Sequence, residues 1–346
     1  MTALSVKEGT LKRRPTLRNT VFGDGLTEAS EGVEPSILHC VPLFHVTGSH
    51  AGFLMSVISG RKMVMVSKWD TLEAMQLIQD EKITNITGVP TMTWEILTHP
   101  ARKDFDLSSL QDLGGGGAHR PPEHVKKLDE EFTNAKPSIG YGLTETNAIG
   151  TLNGGEDYLS RPASCGRVVP PVTELAIIDQ NWNILEAEGQ VGEVAIKSPA
   201  NMVGYWNKPD ATAEVIKDGW FKTGDLGYLE DGFLFIIDRV KDLVIRGGEN
   251  ISCIEVESAI SEHPAVFEVA VFGIPDDRLG EVLCAAVSLK SNNSLDSDTL
   301  KDFLVDRLAA FKIPLHIRVQ DDALPKAAAA ASCFGAADTQ EEEEEE

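Results

Sequence analysis

Tyr141-Gly142-Leu143-Thr144-Glu145 sets an aromatic ring, a glycine, a hydroxyl and a carboxylate within one short segment. Such a loop can stack on a base, bring its backbone close to a phosphate and offer a hard oxygen to a cation. A structural turn with a helix-capping threonine would carry the same residues, so the segment alone does not decide between them. Downstream stand Phe221-Lys222-Thr223-Gly224-Asp225, then Asp238-Arg239-Val240-Lys241-Asp242, then Gly247-Gly248-Glu249-Asn250. Upstream stand Pro42-Leu43-Phe44-His45, Gly88-Val89-Pro90-Thr91 and Gly116-Gly117-Ala118-His119. Each alone reads as an ordinary turn, ion pair or core histidine. Their order and spacing together are specific.

In those segments the chain resembles the adenylate-forming superfamily of acyl-CoA synthetases, peptide-synthetase adenylation domains and luciferases, over residues 36 to 326. The resemblance implies an ATP-dependent ligase that activates a fatty or other hydrophobic carboxylic acid to an acyl-adenylate, with Mg²⁺, and passes it to coenzyme A. It implies a large α/β domain (a partial parallel sheet plus a small β subdomain) followed by a small α+β domain. Carried over residue by residue, Tyr141 stacks on adenine beside Gly142, and Thr144 meets a phosphate oxygen. Glu145 holds Mg²⁺, as a hard cation prefers. Gly117, Ala118 and His119 match the adenine edge, with His119 where proline is usual. Asp225 matches the ribose clamp, and Arg239, with Ile237 before it, the cation near ribose and phosphate. His45 stands at the gate between carboxylate and thiol channels. Gly247 and Gly248 match the segment along which pantetheine slides, where only glycine would permit close approach. Lys241 falls at the hinge of the small domain, and Cys253 replaces a common proline.

Two departures point to an impaired adenylation step. No glycine-, serine- and threonine-rich phosphate loop precedes Pro42. After Leu324-Pro325-Lys326, Ala330 and Ala331 stand where the resemblance leads one to expect a Gly-Lys pair. The competing reading is a non-catalytic AMP- or acyl-adenylate-binding remnant or truncated gene product. A carrier-protein adenylation domain ranks last, since no carrier serine motif is visible.

The elements that must position these residues are legible in outline. Lys62–Val66 reads as a strand, Asp70-Thr71-Leu72-Glu73 as a capping box opening a helix, and Ile83–Thr87 as a second strand, so a βαβ unit of a parallel sheet is expected. After about Ser160 helices are expected to disappear in favour of short strands such as Glu193–Ile196 and Phe233–Ile237, with a hairpin turn at Asp231-Gly232. From Asp242 the texture is α+β, with helices over Ile254–His263 and Asp298–Ala309 and strands over Val266–Phe272 and Val282–Leu289. The domain plan is then residues 1–35 as a disordered or foreign segment, 36–238 as the AMP-binding large domain and 239–326 as the small domain. An Ala-rich, acidic tail fills 327–346. A truncated large domain exposes sheet edge, so aggregation or a partner chain is expected.

The 346-residue chain carries a formal net charge of −23, partly from the terminal Glu341–Glu346 run. That excludes a general nucleic-acid binder, which must attract phosphates, while a local site can still hold an anionic nucleotide. No apolar run reaches membrane-spanning length. Cys40, Cys165, Cys253, Cys284 and Cys333 are scattered without a CxxC spacing, which favours a reducing intracellular compartment, the cytoplasm before an organelle. The basic residues Lys7, Lys12, Arg13, Arg14 and Arg18 read as a disordered tail before they read as a targeting segment.

Overall fold

The computed structural model describes residues 34–290, 293–320 and Leu324; residues 1–33 and the tail, with Ala330 and Ala331, lie outside it. A seven-stranded sheet comes first, built from β1 (Ser36–His39), β2 (Lys62–Met65), β3 (Asn85–Gly88), β4 (Asp112–Gly116), β5 (Lys136–Tyr141), β6 (Thr151–Gly154) and β7 (Arg167–Val168). β1 to β5 run parallel, and β6 and β7 close the sheet antiparallel. Parallel neighbours need crossovers, supplied by α1 (Met55–Ser59), α2 (Thr71–Glu81), α3 (Pro90–Thr98) and α4 (Pro122–Glu131), with α5 (Gly155–Ser160) between β6 and β7.

The Asp70 carboxylate accepts from the Glu73 N–H at 2.8 Å and starts α2, as its sequence predicts. The helix lays Ala74, Met75 and Ile78 on a core with Leu38, Ile86 and Leu113. The expected βαβ unit is present with one correction. β1 lies between β2 and β3, so the strands of the unit do not touch. β1 is buried at all four positions and so belongs inside a parallel sheet, whereas β2, with Met65 exposed, takes the edge.

A second, antiparallel sheet holds β8 (Glu174–Ile178), β9 (Gly192–Lys197), β10 (Ile216–Lys217), β11 (Trp220–Glu230) and β12 (Phe233–Arg239). Helices do not vanish here as expected: α6 (Pro209–Val215) stands before β10, opened by a first-position proline and too short to show a helical period. Between β11 and β12, Asp231 (φ 52°) and Gly232 (φ 75°) form the two-residue left-handed turn that the hairpin twist requires.

The small domain has its own sheet, β13 (Val244–Arg246), β14 (Glu249–Ile251), β15 (Val266–Asp276), β16 (Gly280–Leu289) and β17 (His316–Gln320), covered by α7 (Cys253–Ser261) and α8 (Ser297–Val305). α8 ends sooner than expected. Its Leu300 and Leu304, with Leu308 beyond it, still join the core of Val256, Ile260 and Leu283, and Phe303 packs at the margin.

One buried carboxylate ties the two domains. Asp238, 1% exposed at the end of β12, accepts from the N–H groups of Cys253 (2.6 Å) and Ile254 (3.5 Å) through Oδ2, and from the Arg239 N–H (2.8 Å) through Oδ1. First-turn N–H groups have no partner inside their own helix, so β12 supplies what α7 lacks. A proline at 253 would have no N–H to give, which makes Cys253 part of this junction. Beside it, Ser252 Oγ donates to the Ile237 carbonyl at 2.7 Å.

Replacing Asp238 with Ala leaves those donors buried without an acceptor, and we expect a loss of about 1–3 kcal/mol in denaturant unfolding. An unchanged midpoint would refute this clamp. A pH signature is expected from Glu257 on α7. Burial, reinforced by the Asp238 charge and opposed by the Val271 N–H, pushes its carboxyl up from 4.5 to about 8. A folded-state value above the unfolded one means that the native state holds the proton more tightly. The stabilisation is therefore full below the ordinary carboxyl range and is lost as pH rises through about 8. Urea unfolding from acid to pH 8 should show the unmodified chain losing up to about 1.4 kcal/mol per pH unit relative to Glu257→Gln. Parallel pH curves would contradict the burial of a protonated Glu257.

Candidate active site

β5 delivers Tyr141 to the carboxyl edge of the parallel sheet, where ligands of such sheets bind. The chain then turns back on itself. A Cβ at Gly142 would stand 2.6 Å from the Ala148 carbonyl, and Asn147 (φ 51°) and Ala148 (φ 64°) are both left-handed. Within this turn the structural hydroxyl is that of Thr146, which is buried and accepts from the Leu143 N–H at 3.0 Å. Thr144 is left exposed and Glu145 half-buried. The hydroxyl that holds the turn and the hydroxyl left exposed thus belong to different threonines.

The hydroxyl of Tyr141 donates to Asp225 Oδ2 at 2.6 Å, and Arg239 Nε lies 3.6 Å from Asp225 Oδ1. Three segments far apart in sequence therefore meet at one carboxylate, 6% exposed. Burial pushes the Asp225 carboxyl above its ordinary value; Tyr141 and Arg239 pull it down, while Asp238 and Asp242 push it up. Burial, then the Asp225 charge, drives the Tyr141 phenol well above its usual range, so it stays a donor. The loop under Asp225 is pinned: Thr223 Oγ1 accepts from the Asp225 N–H (3.1 Å) and donates to the Val194 carbonyl (2.9 Å). The Gly224 N–H donates to Glu193 Oε1 at 3.1 Å.

Arg239 faces Asp225 because β12 carries a bulge. From Glu230 to Gly227 the register runs opposite Phe233 to Ile236, then it shifts, and Leu226 and Asp225 stand opposite Asp238 and Arg239. Ile237 is the extra residue. Its carbonyl serves the domain junction, accepting from Ser252 Oγ.

Gly117 (φ 73°) and Ala118 follow β4, whose Gly116 pairs with Gly140 next to Tyr141. Gly117-Ala118 and Tyr141 thus stand at the ends of adjacent strands. The His119 ring reaches the other way, with Nε2 3.2 Å from Ser258 Oγ on α7, and burial lowers its pKa to about 4. A neutral imidazole therefore joins the loop after β4 to the small domain.

His45 is not hydrogen-bonded to this cluster. Among the described residues its partners are local: Nδ1 accepts from the Thr47 N–H at 3.1 Å and its carbonyl from Ser49 Oγ, and burial lowers its pKa. Gly247 (φ 60°) and Gly248 (φ 92°) are the two loop residues between Arg246 and Glu249 of β13 and β14. Nothing in the protein lies within 4 Å of a Cβ built at Gly248, while one at Gly247 would stand 3.3 Å from Leu279 Cδ2, and the left-handed turn by itself favours glycine at both. Lys241 is exposed in the turn after β12, where the Val240 N–H donates to the Gly224 carbonyl at 2.8 Å.

Among the described residues no group of three or more His, Cys, Asp or Glu is arranged to hold a metal. A single carboxylate, Glu145, fits a Mg²⁺ that draws its other oxygens from a nucleotide's phosphates and water. Three residues have partners here that no local pattern predicts: Glu193 under Gly224, Asp238 at the domain junction, and Tyr205, whose hydroxyl reaches Glu145 Oε1. Those partners lie 31, 15 and 60 positions away. No helix among the described residues is long and apolar enough to cross a membrane.

The chain is 40% identical over 305 residues to a long-chain-fatty-acid–CoA ligase of Bacillus subtilis, covering 87% of this chain and 53% of that protein. It thus spans about half the length of that relative. The o-succinylbenzoate-CoA synthetase of Bacillus subtilis superposes in two solved structures. The one with an acyl-adenylate intermediate gives a TM-score of 0.73 at 32% identity, over 85% of this chain and 59% of that one. The one with ATP and magnesium gives 0.74 at 32% identity, over 90% and 62%. Residues 15–206 match the model of the AMP-binding enzymes and residues 255–330 that of their C-terminal domain. With both models matched in order along one chain, this protein belongs to the AMP-binding enzyme family of adenylate-forming acyl-CoA synthetases.

Proposed function

We propose that this chain carries the AMP-holding and thioester-forming part of an acid–thiol ligase acting on a fatty or other hydrophobic carboxylic acid. The observation that carries the reading is the meeting of Tyr141, Asp225 and Arg239. Two carboxylate oxygens, flanked by a phenol donor and a guanidinium, can accept from both hydroxyls of a ribose and keep a cation beside its phosphate. The ligase and adenylate names of the relatives agree with it.

In such a reaction a substrate carboxylate oxygen attacks the α-phosphorus of ATP, pyrophosphate leaves, and the thiolate of CoA then displaces AMP from the acyl carbonyl. Bound Mg²⁺ would neutralise phosphate charge, with Glu145 as its protein ligand and Thr144 beside the phosphate. Asp225 and Arg239 hold AMP through both steps. His45 flanks the acyl carbonyl, and the Gly247-Gly248 hairpin borders the thiol's approach. Lys241 is the pivot on which residues 239–326 move as a unit against residues 36–238.

Adenylation is the weaker half-reaction of this chain. By resemblance, Ala331 stands where a lysine would meet the charge building on the α-phosphate. Loss of such a partner costs ~3–4 kcal/mol, a rate factor of hundreds to thousands. This departure favours the second reading, an AMP- or acyl-adenylate-binding protein without turnover.

Acid-dependent exchange of labelled pyrophosphate into ATP should be negligible. AMP should bind weakly, and Asp225→Ala should remove that binding. Robust exchange by the unmodified chain, or AMP affinity indifferent to Asp225→Ala, would overturn the proposal. Thioester production from a synthetic acyl-adenylate and CoA separates the two readings: product supports the ligase, and binding without product supports the second.

A further inference from the structure

Tyr205 belongs to the loop between β9 and α6, outside the segments that carried the sequence reading. Its hydroxyl donates to Glu145 Oε1 at 3.0 Å. Two further hydrogen bonds tie the same loop to the same turn, from the Met202 N–H to the Glu145 carbonyl (2.7 Å) and from Asn147 Nδ2 to the Ala200 carbonyl (2.6 Å). Both the main chain and the side chain of Glu145 are therefore held from one side.

The phenol is itself held in place. The Tyr205 N–H donates to Thr212 Oγ1 at 2.9 Å, and that hydroxyl donates onward to the Lys208 carbonyl. Gly204 allows this approach, since a Cβ there would stand 2.9 Å from Thr212 Cγ2.

We propose that Tyr205 is a positioning residue for Glu145: by fixing Oε1 it leaves Oε2 as the oxygen offered to a divalent cation. This rests on the reading of Glu145 as the cation's protein ligand. An unrestrained glutamate samples several rotamers, and holding one of its oxygens lowers the entropy lost when the other binds. Partners one step behind a metal ligand act in this way, and their loss typically weakens metal binding 10- to 100-fold.

The test is Mn²⁺ titrated into the full chain saturated with AMP, followed by water-proton relaxation, for the unmodified protein, Glu145→Gln and Tyr205→Phe. The phenylalanine keeps the ring and removes only the hydroxyl. Tyr205→Phe should weaken Mn²⁺ binding about tenfold while AMP affinity measured in chelator shifts by less than about twofold. A purely structural role would move both affinities together, and that result overturns the proposal. If Glu145→Gln weakens Mn²⁺ binding and Tyr205→Phe does not, the positioning role fails while Glu145 remains the ligand. If Glu145→Gln leaves Mn²⁺ binding unchanged, the reading of Glu145 fails and the role of Tyr205 falls with it.

Discussion

Asp225 faces a guanidinium because one extra residue, Ile237, sits in β12. The Asp231-Gly232 turn sets Glu230 opposite Phe233, and the register holds as far as Gly227 and Ile236. Continued without a bulge, it would place Asp225 directly opposite Asp238. Like charges facing each other across strands are destabilising, and both carboxylates here are buried. The bulge moves Asp238 one place along and brings Arg239 opposite Asp225. Bulges re-aim side chains in this way next to functional sites. The hairpin therefore sends Asp225 toward Tyr141 and Asp238 toward the first turn of α7.

These two carboxylates have different fates because their partners differ. Asp238 accepts from backbone N–H groups that a ligand cannot replace without unwinding the start of α7. Asp225 is held by a phenol and a guanidinium. Side chains can turn aside and re-form bonds around a ribose, so the nucleotide reading falls on Asp225. Burial raises its carboxyl and Arg239 lowers it, and a carboxylate so balanced gains from further donors such as hydroxyls.

What sequence revealed and what it hid divide along physical lines. Local chemistry was legible: the Asp70 cap, the Asp231-Gly232 turn and the apolar face of α8 each depend on neighbours within a few positions. The family resemblance located Tyr141, Asp225 and Arg239, and the structure brings them together. The order of β1 to β3 was hidden because a βαβ pattern does not say which other strand will lie between. α6 is shorter than two helical turns and left no period to read. Tyr205 and Glu193 act on partners 60 and 31 positions away, and a lone loop aromatic or surface glutamate announces nothing by itself. At Gly247-Gly248 the structure adds a reason of its own for glycine, a turn of left-handed backbone.

The same few residues also join the site to the small domain. Asp225 and Asp238 lie on one hairpin, the Gly224 carbonyl takes the Val240 N–H, and His119 extends the adenine-edge segment to Ser258 on α7. The bonds from Asp238 to Cys253 and Ile254, from Ser252 to Ile237 and from His119 to Ser258 all join residues before Lys241 to residues after it. A large rotation of the small domain would have to break them as a set. The Asp238–Cys253 bond is buried and the others partly so, and an unmade hydrogen bond there costs more than one exchanged for water. A nucleotide that shifts Asp225 or the Gly117-Ala118 segment acts on the frame that carries these bonds. Whatever preference it has for one orientation must be matched by an equal preference of that orientation for the nucleotide.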